Sequence, residues 1–375
     1  MSALQLHILN SIEDVEAIAD RWNDLWQHSD VTVPTARAEF IRNWVEHFAP
    51  RRQFHAIIVE EGTRLVAALP LIEGRWGKVI CMGGLPRNEW SGAGDLLLDP
   101  VANGSAALAL VANALKELPW PILRFIHVRG ESSSWQTFVQ SLRDADVSVE
   151  VRPSHEVKFI AVPKTWESYH AQLSKNHRQR LKRLLKRSAE EGNVQLIKYA
   201  PTSWADAEPL LQRAFHIEDS GWKGRARTSL LRKPNIADHV LRMSELLIPR
   251  NELEVAFLEL HGKPIAFQIL WNSKGVLHAY KGSYEERWKH LGPGHLLIHE
   301  LLREMCESQR CQGYDCYGPN TPAIDHWSGS TYQTSQVTVA PRQWLGRAML
   351  FTYRHCRRSP VQLENKLPAL ATQTE

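Results

Sequence analysis

LEVAFLELHGKPIAFQILWNSKGVLHAYKGSYEERWKHLGPGHLLIHELL, residues 253–302, decides the fold. Three apolar runs, 253–260, 265–271 and 276–284, are separated by His261-Gly262-Lys263-Pro264 and Asn272-Ser273-Lys274-Gly275. These tetrapeptides are turn-formers, so the segment predicts a three-strand antiparallel meander. Lys289-His290-Leu291-Gly292-Pro293-Gly294 comes next, leading into an apolar helix over 295–309. Two glycines between strand and helix let backbone approach a ligand closely, and the first N–H groups of the helix are unpaired and partly positive. Such a turn suits a pyrophosphate, with Lys289 adding charge and His295 at the helix start. The alternative is a tight turn that only caps a helix.

Working outward, 314–317 reads as a strand and 341–355 as a last helix bearing Trp344, Leu345, Met349 and Phe351. Upstream, a strand over 157–162 precedes a long helix over 166–191, ended by Gly192-Asn193. A strand at 194–199, helices at 201–217 and 235–247, and an intervening polar loop complete this unit. The first 150 residues predict helices at 11–27 and 37–48, strands at 54–60, 65–72, 78–82 and 122–128, and a helix at 105–118. Ala56-Ile57-Ile58-Val59-Glu60-Glu61-Gly62 followed by Leu65-Val66-Ala67 is similar to Val255-Ala256-Phe257-Leu258-Glu259-Leu260-His261-Gly262 followed by Ile265-Ala266-Phe267. The repeat predicts two related units, 1–155 and 156–375, the first degenerate.

The 375 residues are 43% hydrophobic and 23% charged, which excludes a disordered or fibrous chain. A net charge of +4 is too small to announce nucleic acid by itself. The chain holds no apolar run of membrane-spanning length, and Glu13 and Asp14 stand where a secretory signal needs positive charge, so a cytoplasmic protein is expected. Five cysteines without a CxxC predict neither a disulfide framework nor a metal site.

Three further segments could carry chemistry. SKNHRQRLKRLLKR, 174–187, has seven basic residues and no acid. Its face could meet a nucleotide, a nucleic acid, an anionic glycan or a membrane surface, or be a solvated face beside a cleft. Ser220-Gly221-Trp222-Lys223-Gly224-Arg225 offers an aromatic wall and two cations to an acceptor or a phosphate, or anchors a loop through Trp222. Asp315-Cys316-Tyr317-Gly318 ends a strand, where α/β folds place ligands, and Asp325-His326-Trp327 follows. Walker, GxSxG, HExxH and HxxxxD signatures are absent from the sequence.

The meander with Lys289, Gly292 and Gly294 resembles the core of the GNAT N-acetyltransferase superfamily. The chain as a whole resembles the branch associated with cellulose and exopolysaccharide biosynthesis (the CelD type), itself similar to the Fem aminoacyl transferases. The features that carry this are 173–187, Gly221 to Arg225, Gly262-Lys263-Pro264-Ile265-Ala266, Pro293-Gly294 with Leu297, and Asp315. In the first half they are Phe40 to Trp44, Leu69-Pro70-Leu71 and Gly94-Asp95-Leu96-Leu97. The chain departs from the family pattern at Gly292, at Glu285, and at Ala323-Ile324, where the family has Tyr-Lys.

The resemblance implies an α/β (α+β) fold of two tandem GNAT-like lobes, each a mixed, mainly antiparallel sheet flanked by helices. Acetyl-CoA or another acyl-CoA would be the cosubstrate, without a metal, and an amine the acceptor, an amino sugar or polysaccharide precursor among the candidates. Tyr284, Lys289, Gly292, Gly294 and His295 would hold the donor. Trp222, Lys223, Arg225 and Asp315 would face the acceptor. His278 and Tyr280 share one face of their strand, and His278 is the first candidate for the base, with Asp219 and Glu285 in reserve. Two other readings stay open at this point: a non-catalytic GNAT-like scaffold or regulator, and Fem-like transfer from aminoacyl-tRNA.

Overall fold

The computed structural model describes residues 3–76, 80–341 and 348. The helix expected over 341–355 lies outside the described residues. Among the described residues, thirteen strands form one sheet: β1 (Leu4–Leu9), β2 (Phe54–Glu61), β3 (Arg64–Trp76), β4 (Ile80–Gly84), β5 (Leu97–Leu98), β6 (Leu123–Val128), β7 (Ser148–Ala161), β8 (Val194–Tyr199), β9 (Leu253–Leu260), β10 (Lys263–Ser273), β11 (Val276–Tyr284), β12 (Gly313–Asp315) and β13 (Ser330–Ala340). The helices are α1 (Ile12–Ala17), α2 (Ala19–His28), α3 (Ala38–Phe48), α4 (Gly104–Ala114), α5 (Ser133–Asp144), α6 (Trp166–Gln172), α7 (Lys175–Glu191), α8 (Trp204–Ser220), α9 (Trp222–Arg225), α10 (Pro234–Glu245), α11 (Pro293–Ser308) and α12 (Pro322–Asp325).

The meander forms as its turns dictate. His261-Gly262 and Lys274-Gly275 all take positive φ, the backbone that matches the right-handed twist of two-residue hairpins. Several boundaries differ from expectation. The helix read over 11–27 breaks at Ile18. The one read over 166–191 is two helices, because Leu173 is extended and the Ser174 hydroxyl accepts from the His177 N–H to start a new one. The loop at Trp222 is a short helix, and β1, α5 and β13 were not foreseen.

The strand order is β1-β2-β3-β4-β6-β13-β7-β12-β11-β10-β9-β8, with β5 added to β3. The ladder is mainly antiparallel, with parallel contacts at β4–β6 and β11–β12. β13, from the end of the described chain, lies between β6 and β7, pairing Val339 with both Leu123 and Val149. β7 continues past β13 to pair with β12, Asp315 opposite Phe159. The two halves therefore exchange strands within a single sheet, and the boundary expected at 155/156 falls inside β7.

Helices cover both faces, making four cores. α4 and α5 pack on the first half and α7 and α11 on the second. On the opposite face, α1–α3 and then α8 and α10 do the same. Buried polar contacts join the halves. The Arg37 guanidinium, fully buried, meets Glu252 at 2.5 Å and lies 5.0 Å from the rings of Trp26 and Phe40. Lys274 Nζ, in the β10–β11 turn, donates to the carbonyls of Trp26, Ser29 and Val31. Among the described residues, no helix is long and apolar enough to cross a membrane.

Glu252→Ala leaves the buried Arg37 guanidinium with Glu39, 3.2 Å from its Nε, as its carboxylate partner, so it should cost about 1–3 kcal/mol in urea unfolding. The double variant Arg37→Met/Glu252→Leu should recover most of that loss.

Candidate active site

β11 and β12 pair only from Val276↔Gly313 to His278↔Asp315. Beyond that point β12 turns away, with Tyr317 at φ +57°, while β11 runs on to Tyr284 beside β10. One edge of β11 is therefore left without a ladder partner, and the two strands open a V-shaped cleft.

A bulge sits where the cleft opens. β10 places Ile269 opposite Lys281 and Leu270 opposite Ala279, leaving Tyr280 as the extra residue. Strict alternation would send Tyr280 and Lys281 to opposite faces; the bulge turns both toward α8. Tyr280 stacks on Trp271 (4.2 Å, 20°), and Lys281 Nζ lies 3.4 Å from Glu218 Oε1. Beyond the bulge Ser283 faces the α8 side beside Gly221, and Tyr284 faces the α11 side beside Gly294.

At the apex, His278 is fully buried with Nδ1 3.8 Å from Asp315 Oδ2. Burial lowers its pKa, so the ring is neutral at pH 7; the Asp315 carboxylate and the Thr32 carbonyl oppose the shift. Asp315 accepts from Tyr332 Oη at 3.0 Å and from the Tyr317 N–H at 2.7 Å. Burial raises the phenols of Tyr280, Tyr317 and Tyr332, keeping all three protonated.

The α8 side carries a buried ion cluster. Glu218, fully buried, accepts from Lys223 Nζ at 2.8 Å and from the Leu230 N–H at 2.9 Å, with Lys281 alongside. Burial works to raise its pKa, but Lys281 and Lys223 outweigh that and hold the carboxyl below its ordinary value. Trp90, from the first half, lies 5.7 Å from Lys281 Nζ.

On the α11 side, Gly292 takes φ +63°, where an added Cβ would also lie 2.9 Å from Leu184 of α7. No side chain caps the first turn of α11. At Gly294 a Cβ would meet only Tyr284 Cδ1 at 3.9 Å, so this turn presents open backbone. By contrast, Asn103 caps α4, the corresponding helix of the first half.

His278, Tyr280 and Asp315 are thus brought together at the apex, and Tyr284, Gly292, Gly294 and His295 lie on the α11 side. Lys289 is exposed. Asp219 binds Ser229 Oγ at 2.5 Å and Arg232 at 3.0 Å, and Glu285 is held by Arg287 at 2.6 Å. Lys223 is committed to Glu218, Arg225 pairs with Glu286 at 2.8 Å, and Trp222 is half-buried at the start of α9. Sequence reasoning missed Glu218, Lys281 and Tyr332, and named Tyr317 only as part of the 315–318 segment. The β-branched run Val337-Thr338-Val339 could have revealed β13, but nothing local marks the bulge. Among the described residues, no group of three or more His, Cys, Asp or Glu side chains could hold a metal ion.

Residues 1–103 and 175–326 match the family model described as Acetyltransferase (GNAT) domain, and the chain belongs to that family of acyltransferases. No curated protein matches the sequence. Among solved structures, FemX superposes at TM-score 0.58 with 8% identity, over 92% of this chain and 99% of its own. A conserved protein of unknown function from Bacteroides thetaiotaomicron gives 0.52 and 11%, over 89% and 100%. The C-terminal domain of a putative lysylphosphatidylglycerol synthetase from Agrobacterium fabrum gives 0.52 and 12%, over 92% and 96%. At these identities the likeness shows the fold alone.

Because Glu218 is held below its ordinary value of 4.5, its contribution to stability is present above pH 4.5 and disappears as the pH falls through the depressed value. Glu218→Gln should cost about 2–4 kcal/mol at pH 7. The gap to wild type should close on acidification below pH 4.5, measured by denaturation across pH.

Proposed function

We propose that the chain is an acyl-CoA-dependent N-acyltransferase that delivers an acetyl or related acyl group to an amine. The donor binds the second half of the chain, at β11 and α11, and the first half is its degenerate relative. The observation that carries this reading is the free edge of β11 running alongside the uncapped first turn of α11. Open backbone at Gly294 and unpaired N–H groups fit the pyrophosphate of a CoA.

Bound there, the cosubstrate supplies a thioester carbonyl reactive toward an amine. The unpaired N–H groups of β11 beyond His278 are donors for the oxygen on which charge develops. Holding both reactants in one cleft supplies much of the acceleration. The acceptor enters from the α8 side, past Trp90, Tyr280 and Lys281, and an amino sugar or polysaccharide precursor fits that polar, aromatic wall. The His278–Asp315 pair takes the ammonium proton, directly or through water. A protonated ring is stabilised by the carboxylate and by the Thr32 carbonyl, while Tyr332 and the Tyr317 N–H orient Asp315. The imidazolium formed on His278 returns its proton to the thiolate that leaves as the amide bond forms, while Tyr280, kept as a phenol by burial, remains part of the acceptor wall.

A second reading, transfer from aminoacyl-tRNA, is favoured by one observation. Lys175, Arg180, Lys182, Arg183, Lys186 and Arg187 are exposed along α7, which packs on α11. It requires salt-sensitive tRNA binding, and no affinity for tRNA at low salt eliminates it.

Gly294→Trp should abolish CoA binding in calorimetry while thermal unfolding stays near wild type; retained affinity sinks the acyl-CoA reading. His278→Gln should lower kcat by about 100-fold with CoA affinity unchanged, followed by a free-thiol assay. The acid limb of the wild-type pH–rate profile should lie below the ordinary histidine range, as burial of His278 dictates.

A further inference from the structure

The loop between β4 and β5 belongs to the first half, yet it reaches the cleft of the second, where Trp90 lies 5.7 Å from Lys281 Nζ. An isolated bridge, Arg87↔Gly92, closes the loop, and Asn88 Oδ1 accepts from the Trp90 and Ser91 N–H groups inside it. Both halves pin its tip. Trp44 of α3 donates to the Ser91 carbonyl at 3.3 Å, and His239 Nε2 of α10 lies 2.9 Å from the Ser91 hydroxyl. Gly92 packs against the Arg87 guanidinium, where a Cβ would come 2.8 Å from Nε. The loop therefore holds Arg87 in one place.

Arg87 also lines a cavity of about 90 Å³ between α3, β3, β4 and β6, on the sheet face that α8 covers in the second half. That is room for several waters, or for one carboxylate or phosphate group. The lining holds three guanidinium groups, Arg52, Arg87 and Arg124, and one carboxylate, Glu73. Arg87 Nε is buried and makes no hydrogen bond. Arg124 Nη2 donates to Gln336 Oε1 at 2.6 Å, and Arg52 is exposed at the rim. Asp95, the carboxylate that feels the Arg87 charge, already accepts from Trp135 Nε1 at 2.9 Å and from the Leu96 N–H at 2.7 Å. Guanidinium groups offer only donors, in a planar fork that matches an oxyanion.

The Arg87 charge is felt at the apex as well. After burial it is the largest influence on the Tyr317 phenol, and it acts to lower the pKa that burial raises. Tyr317 in turn meets His278 edge-on at 6.2 Å and Tyr280 at 6.3 Å. One loop thus carries both an arginine of the cationic cavity and a tryptophan of the wall on the α8 side.

We propose that the acceptor is an amine bearing a carboxylate or phosphate, and that Arg87, with Arg52 and Arg124, grips this oxyanion in the cavity while the amino group reaches His278. This names the acceptor class for the acyl-CoA reading above and rests on it. An amine tethered to a held oxyanion enters the cleft already oriented, and a neutral amine lacks that hold.

The test titrates the full chain calorimetrically with inorganic phosphate and with acetate, both small enough for the cavity whatever scaffold carries them. Two matched pairs follow: glucosamine 6-phosphate against glucosamine, and 6-aminohexanoate against hexylamine. At least one anion should bind, and the amine carrying it should bind about tenfold or more tightly than its neutral counterpart. Arg87→Gln should bring that ratio close to one, and the pair that responds tells phosphate from carboxylate. If Arg87→Gln fails to fold, Arg52→Gln at the exposed rim should weaken the anion by about threefold. With acetyl-CoA present, the preferred amine should release free thiol. Binding of neither anion, or a preference that survives in the variants, overturns the site, and CoA affinity measured in parallel leaves the acyl-CoA reading standing. An anionic amine that binds through Arg87 but is not acylated by a chain that binds acetyl-CoA overturns the acceptor role. Arg87-dependent anion binding by a chain without CoA affinity overturns the acyl-CoA reading and keeps the anion site.

Discussion

The pairing of β7 with β13 is the constraint on which the rest depends. Its register runs from Ser330↔Phe159 to Ala340↔Ser148, and it joins two hairpin-built halves into one sheet. Because β7 continues to β12, the same ladder that ties the halves together sets the height of Asp315. Because β13 carries Tyr332, it also delivers the phenol that hydrogen-bonds Asp315. The apex of the cleft is assembled from strands distant in sequence, and a slip in the β7–β13 register would move Tyr332 away from its carboxylate.

The cleft itself comes from a failure of pairing rather than from an added element. β11 outlasts β12, so one edge stays unpaired, and the bulge at Tyr280 sends two consecutive side chains toward α8. Tyr284, past the bulge, returns to the α11 face. A single irregularity thus divides the strand between the α8 face and the α11 face. The first half shows a different outcome from similar topology. β4 meets β6 only at Gly83↔Leu123, where a Cβ on Gly83 would lie 2.2 Å from Trp120 and one on Gly84 2.6 Å from the Arg124 carbonyl. There the chains approach too closely for side chains at these positions, and Asn103 already satisfies the helix start.

The sequence by itself determined the meander, the turn before α11 and most helices, because hydrophobic period and Gly-containing turns are local signals. His261-Gly262 and Lys274-Gly275 name their hairpins, and Gly292-Pro293-Gly294 names an uncapped helix start. The pairing of His278 with Tyr280 on one face follows from alternation. The tertiary structure decided what alternation cannot encode: the bulge, the end of β12 pairing, the exchange of β7 and β13, and the partners of each charge. Asp219 and Glu285 look like free carboxylates in the sequence, yet Arg232 and Arg287 occupy them. Glu218 and Tyr332, unremarkable in the sequence, stand at the centre. The physical reason is that a side chain's charge state and reach depend on neighbours across the sheet, and those neighbours are set by long-range strand register rather than by local composition.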